Sequence, residues 1–125
     1  SLAAVNFNST DAAAAEIYTL LLVGTNLRWE APLINTRLRK AVWKKRAKVF
    51  AIGAEVDLAY KHEWLGNDAA LVTKLPKAVL EALTSAERPM IILGGGALAV
   101  AGVHGAALAL ADKIGAVKDG WKGFN

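Results

Sequence analysis

The chain contains no cysteine. Disulfides, thiolate zinc sites and cysteine-held iron–sulfur clusters are therefore excluded within these residues, although the redox compartment is left open. Histidine is scarce as well. His62 and His104 stand far apart, and neither has a cysteine or paired carboxylates beside it at ligand spacing. His62 with Glu63 reads as an exposed loop pair, and His104 as a packing or surface residue of a Gly/Ala-rich helix. Ser9, Thr25, Thr36, Thr73, Thr84 and Ser85 lie in no nucleophile elbow. The expectation is no catalytic residue and no metal ligand.

Acidic residues are nearly missing from one stretch. Eight of the 15 Lys and Arg lie between Arg28 and Lys48, against the single acid Glu30. Such a stretch can be a nucleic-acid footprint. Here only Trp29 and Trp43 interleave for base stacking, so a solvated helix face and no nucleic-acid partner are expected. A second stretch, residues 90–111, carries no charge and is long enough to span a bilayer. It is mostly Ala and Gly, which drive insertion weakly, and the glycines at 94–96 split it into a strand and a helix. No direct membrane insertion is expected.

What remains is a chain of 125 residues, 54% hydrophobic, with no internal repeat or low-complexity linker. Residues 1–125 are expected to form a single α/β domain. Residue 1 is Ser, nothing near it reads as a signal or transit peptide, and the chain stops at Asn125 without a tail. Both ends look cut, so a segment of a larger subunit is expected.

The apolar periodicity alternates between strand and helix. Asn8, Ser9, Thr10 and Asp11 suit a helix cap, with a short helix over 12–16. Residues 18–23 form a continuous apolar run, as in a strand buried on both faces. Pro32 suits a first helical position. Ile34, Leu38, Ala41 and Val42 then make one stripe, with Arg37, Arg39, Lys40 and Lys44 pointing elsewhere. Residues 48–52 read as a strand ended by Gly53, and 56–60 as a short extended piece. Residues 62–68 read as a loop, with Asn67 or Asp68 capping a short helix. Pro76 opens a helix whose Val79, Leu80 and Leu83 face inward, and Arg88-Pro89 breaks it. A strand over 90–93, a glycine turn and a helix over 98–113 follow. The pattern predicts a Rossmann-like parallel sheet with helices on both faces.

In such sheets ligands bind beyond the carboxyl ends of the strands. Two loops qualify, 24–32 and 94–96. The second has the form of a dinucleotide fingerprint, Gly94-x-Gly96-x-x-Ala99, in which bare backbone and a helix N-terminus approach a phosphate. Its ribose partner would be Asp119, after a short strand at 116–118. The competing reading is a tight strand-to-helix turn. In the first loop Gly24 permits close backbone approach, Asn26 can bond its own turn, Arg28 can pair with Glu30 or an anion, and Trp29 suits an interface.

The first loop is also distinctive as a string. LLLVGTNLRWEAPLINTRLRKA, followed in order by KVFAIGAEVDLAYKHEWLGND, RPMIILGGGALA and DGWKGFN, resembles the family of the large iron–sulfur subunit (the seventy-five-kilodalton type) of NADH–quinone oxidoreductase, respiratory complex I. The resemblance runs from about Asn8 to Asn125. The family usually has proline where this chain has Leu27.

The resemblance implies a molybdopterin-oxidoreductase-like domain, with iron–sulfur clusters in an N-terminal part of the full subunit and no cofactor in this segment. It implies a vestigial pterin loop at Gly24, Asn26 and Arg28, kept for its turn. The expected role is non-catalytic: a structural, interaction-bearing segment of the peripheral arm, contacting other subunits and supporting electron transfer from NADH to quinone. Its place would be the matrix side of the mitochondrial inner membrane or the cytoplasmic side of a bacterial one. The alternative is an oxidoreductase domain holding a molybdopterin dinucleotide or NAD at Gly24, Asn26 and Arg28 or at Gly94 and Gly96.

Overall fold

A strand covered by helices on both faces has no side that favours polar residues. Tyr18–Val23 (β1) has that character, and all six residues are buried. In this computed structural model, which describes residues 18–25, 32–44, 47–55, 57–86, 88–98, 101–115, 117–118 and 121–122, β1 lies inside a four-stranded parallel sheet. The other strands are Ala47–Ile52 (β2), Glu63–Gly66 (β3) and Arg88–Leu93 (β4), in the order β3-β2-β1-β4. The helix expected over 12–16 lies outside the described residues.

The pleat sends alternate β1 side chains to opposite layers. Tyr18, Leu20 and Leu22 join Leu38 and Ala41 of the helix Pro32–Trp43 (α1), together with Leu58. Leu21 and Val23 join Val79 and Leu83 of Lys77–Ser85 (α2), and Val103, Ala107 and Ala111 of a later helix. Helices therefore cover both faces, as the sequence pattern predicts. Each leucine buried here contributes about 2 kcal/mol of transfer free energy. Asn35 is buried on α1 beside this core, and its Nδ2 donates to the Leu58 carbonyl at 3.0 Å.

Several boundaries differ from the sequence expectation. Strand β2 begins one residue earlier, at Ala47. The extended piece expected at 56–60 is a turn in its described part. The Asp57 side chain accepts the Ala59 N–H at 2.9 Å, and Ala59 takes a positive φ of 68°. That hydrogen bond bends the chain and seats Leu58 in the core. The loop expected at 62–68 contains strand β3, paired in parallel with β2 through Phe50↔Glu63 and Ala51↔Trp64. Its pattern is weak because an edge strand is half exposed and needs no apolar run. Asp68 does cap the next element, accepting from Ala70 N–H at the start of a 3-10 helix, Ala69–Thr73.

Strand β4 starts at Arg88, two residues before 90–93, and takes in Pro89, paired with Thr19. An edge strand tolerates a residue without an N–H. The helix expected over 98–113 begins later, at Val103, and runs to Ile114 (α4), while a separate helical turn, Gly95–Leu98 (α3), starts inside the expected glycine turn. Gly102, with φ 81°, sits at the N-cap of α4 in the left-handed region, where helix cannot continue. Among the described residues Val117–Lys118 (β5) pairs with Trp121–Lys122 (β6), antiparallel, in a separate two-stranded sheet. Among the described residues no helix is long and apolar enough to cross a membrane.

Truncating the fully buried Leu20 is expected to cost about 3 kcal/mol, because the cavity lies between β1 and α1 and cannot collapse. The same truncation at Leu33, 80% exposed, is expected to stay within about 0.5 kcal/mol of the unaltered chain. Urea titration followed by circular dichroism checks both.

Candidate functional site

Strands β1, β2 and β4 run in matched register and end together at Val23, Ile52 and Leu93. The next residue after each is glycine, and β3 itself ends in Gly66, so Gly66, Gly53, Gly24 and Gly94 form a row across the carboxyl edge of the sheet. Backbone hydrogen bonds link the row: Gly53 N–H to Gly66 O (2.8 Å), Gly24 N–H to Ile52 O (2.8 Å) and Gly94 N–H to Val23 O (2.9 Å). Gly24, Gly53 and Gly66 have φ of 61°, 129° and 146°, which side-chain-bearing residues rarely adopt.

Strand order reverses between β1 and β4, so the switch point of this sheet lies at Gly24 and Gly94. The two turns there touch. A Cβ on Gly94 would lie 2.6 Å from the Gly24 carbonyl oxygen and closer still to Thr25, and one on Gly96 would lie 2.9 Å from the same oxygen. The Gly96 N–H donates to that carbonyl at 3.1 Å. Three backbone donors at the switch point, those of Gly24, Gly94 and Gly96, are thus satisfied inside the chain.

The two sequence-selected glycine turns are brought together: Gly24, Gly94 and Gly96 meet in one place. Asn26, Arg28, Trp29, Ala99 and Asp119 lie outside the described residues. The helix at this turn starts inside the glycine triplet, at Gly95, and is described over four residues, Gly95–Leu98 (α3). The strand before Asp119 does not join the parallel sheet. His62 is half-buried, with Nδ1 3.1 Å from the Tyr60 carbonyl, and His104 is exposed on α4. Sequence reasoning missed Gly53 and Gly66 as members of the row. The signal was present, since a glycine closes each of the four strand segments. Among the described residues no three His, Asp or Glu side chains are placed to hold a metal ion.

A cavity opens at the opposite end of the sheet. It is a groove of about 1160 Å³ between the outer flank of α1 and the start of β3, lined by Thr36, Arg39, Lys40, Trp43, Tyr60 and Lys61 among others. Tyr60 packs against the α1-side core. Its hydroxyl is buried without a hydrogen-bond partner, and burial pushes its pKa upward, so the phenol stays neutral. An orphaned buried hydroxyl costs about 1–3 kcal/mol.

Three substitutions separate these features. Gly94→Ala is expected to destabilise the fold by more than about 2 kcal/mol, since the new methyl meets backbone that cannot yield. Gly105→Ala, on α4 with open space around it, is expected to stabilise by about 0.5–1 kcal/mol. Tyr60→Phe removes the orphaned oxygen and is expected to raise stability by about 1 kcal/mol. Thermal and urea unfolding read all three.

The family model for molybdopterin oxidoreductases matches residues 3–125. Among curated proteins, the 78 kDa subunit of mitochondrial NADH-ubiquinone oxidoreductase from Neurospora crassa is 34% identical over 129 residues, covering 95% of this chain and 17% of the relative. The corresponding 78 kDa subunit of Candida albicans is 38% identical over 91 residues, covering 72% and 13%. The 75 kDa subunit of Reclinomonas americana is 38% identical over 77 residues, covering 59% and 11%. The chain thus spans less than a fifth of the length of these relatives. Its parallel α/β sheet and a family match running from residue 3 to residue 125 lead to one assignment: the chain belongs to the molybdopterin oxidoreductase family.

Proposed function

We propose that this chain is a structural, interaction-bearing part of the peripheral arm of an NADH–quinone oxidoreductase and has no active site of its own. In this reading it packs against other subunits of that arm, while electrons pass through iron–sulfur clusters held elsewhere in the assembly. Its place is at an energy-conserving membrane, on the matrix or cytoplasmic side, with no span of its own. The relatives named for NADH-ubiquinone oxidoreductase speak for the assembly.

The observation that carries the non-catalytic role is the closure of the switch point. A phosphate or pterin dinucleotide bound there needs unpaired N–H groups and room against bare backbone. The amides of Gly24, Gly94 and Gly96 are engaged by Ile52, Val23 and Gly24 carbonyls. The space that a Gly94 side chain would fill already holds Thr25. These engaged amides and the occupied space speak against such a group at the described residues of the two turns. The cysteine-free composition is consistent with electrons passing elsewhere.

Two measurements test the proposal. Immunoprecipitation of the chain from its source is expected to bring down an assembly that oxidises NADH, and finding it solely as a free monomer contradicts the role. Acid extraction of the purified chain, with fluorescence detection of pterins and elemental analysis for molybdenum, is expected to give far less than one equivalent of either. A stoichiometric yield contradicts the vestigial site.

A further inference from the structure

The groove at the amino edge of the sheet has no part in the closed switch point. Its wall on α1 is a stripe at helical spacing, Thr36, Lys40 and Trp43, with Arg39 beside it. Trp43 is 85% exposed, far above the usual exposure of that residue type. The opposite wall is the segment 59–63, which brings Lys61 and the half-buried His62 to the rim. The floor is apolar, formed by Val42, Ala47 and Val49.

The groove has a topological origin. A crossover between parallel strands ordinarily carries a helix of a dozen or more residues. The β2–β3 connection is residues 53–62, with no helix among its described residues. Among the described residues the layer beside α1 is therefore thin over β2 and β3, and Trp43 on the flank of α1 is exposed. The result is an apolar floor edged by four cationic residues, Arg39, Lys40, Lys48 and Lys61, against one lining carboxylate, Glu63. An exposed tryptophan and an arginine over a desolvated floor are the residue types that anchor protein interfaces.

We infer that this groove receives an acidic segment of a different polypeptide, whose carboxylates meet Arg39, Lys40 and Lys61 and whose apolar side chains cover Val42, Val49 and Trp43. A nucleic acid suits the groove less well. Four cations neutralise few phosphates, Glu63 repels them, and the floor between Trp43 and the rim is aliphatic. The inference rests on the interaction role proposed above and names the chemistry of one partner.

The test places p-benzoylphenylalanine at position 43 in the chain within its native assembly. After irradiation, the cross-linked peptide is sequenced by mass spectrometry. The expected adduct is a peptide of another polypeptide with more acidic than basic residues around the linkage. A basic or neutral peptide, a second copy of this chain, a nucleotide adduct or no adduct overturns the inference. Arg39→Glu with Lys61→Glu, both exposed positions, is expected to cut the adduct yield about tenfold. The milder pair Arg39→Gln with Lys61→Gln is expected to cut it less, with an unchanged melting temperature. An unchanged yield in both pairs overturns it. A chain absent from any NADH-oxidising assembly defeats the role proposed above, whereas a chain present there but linked to a non-acidic peptide defeats this inference alone.

Discussion

Backbone-to-backbone contact at the carboxyl edge of the sheet governs the rest of the structure. Strands β1, β2 and β4 leave the sheet at the same level, so their exits crowd one another. Gly53 approaches Gly24, where an added Cβ would lie 3.2 Å from its Cα, and Gly94 presses against Gly24 and Thr25. Glycine is required at these positions on two counts: the positive φ of Gly24 and Gly53, and the lack of room at Gly94. The same crowding engages the amides of Gly24, Gly94 and Gly96 with carbonyls of the chain itself.

The two ends of the sheet consequently differ. At the carboxyl edge the glycine row is tied together by hydrogen bonds of 2.8–2.9 Å. At the amino edge, the short β2–β3 connection leaves α1 partly uncovered, and an apolar trough with a cationic rim results. In an open α/β sheet the first end is the usual place for chemistry. At that end the described amides of Gly24, Gly94 and Gly96 are engaged within the chain, and the exposed Trp43 and the cationic rim lie at the other. Such an arrangement is consistent with the interaction role proposed above.

Much of this fold was legible in the residues. The six-residue apolar run at β1, the stripe of Ile34, Leu38, Ala41 and Val42, and the inward Val79, Leu80 and Leu83 each report a buried face through simple periodicity. What was not legible depended on tertiary position. β3 is an edge strand that carries no apolar alternation, and its pairing becomes visible only once β2 is in place. Pro89 reads as a breaker until β4 is known to be an edge. Gly102 reads as one more small residue in a Gly/Ala-rich helix, although in its left-handed conformation it stands at the N-cap of α4. At the candidate site, the glycines after β1 and β4 were conspicuous, but whether they faced a ligand or each other depends on strand order. Sequence spacing does not encode strand order.

The central claim, that the switch-point amides are held within the chain, is tested most directly by residue-resolved amide hydrogen exchange. The account predicts that the Gly24 and Gly94 amides exchange as slowly as those of the β1 core, and that the Gly96 amide is protected relative to an unstructured peptide. Exchange of Gly24 and Gly94 at the rate of free, solvent-facing amides would contradict it.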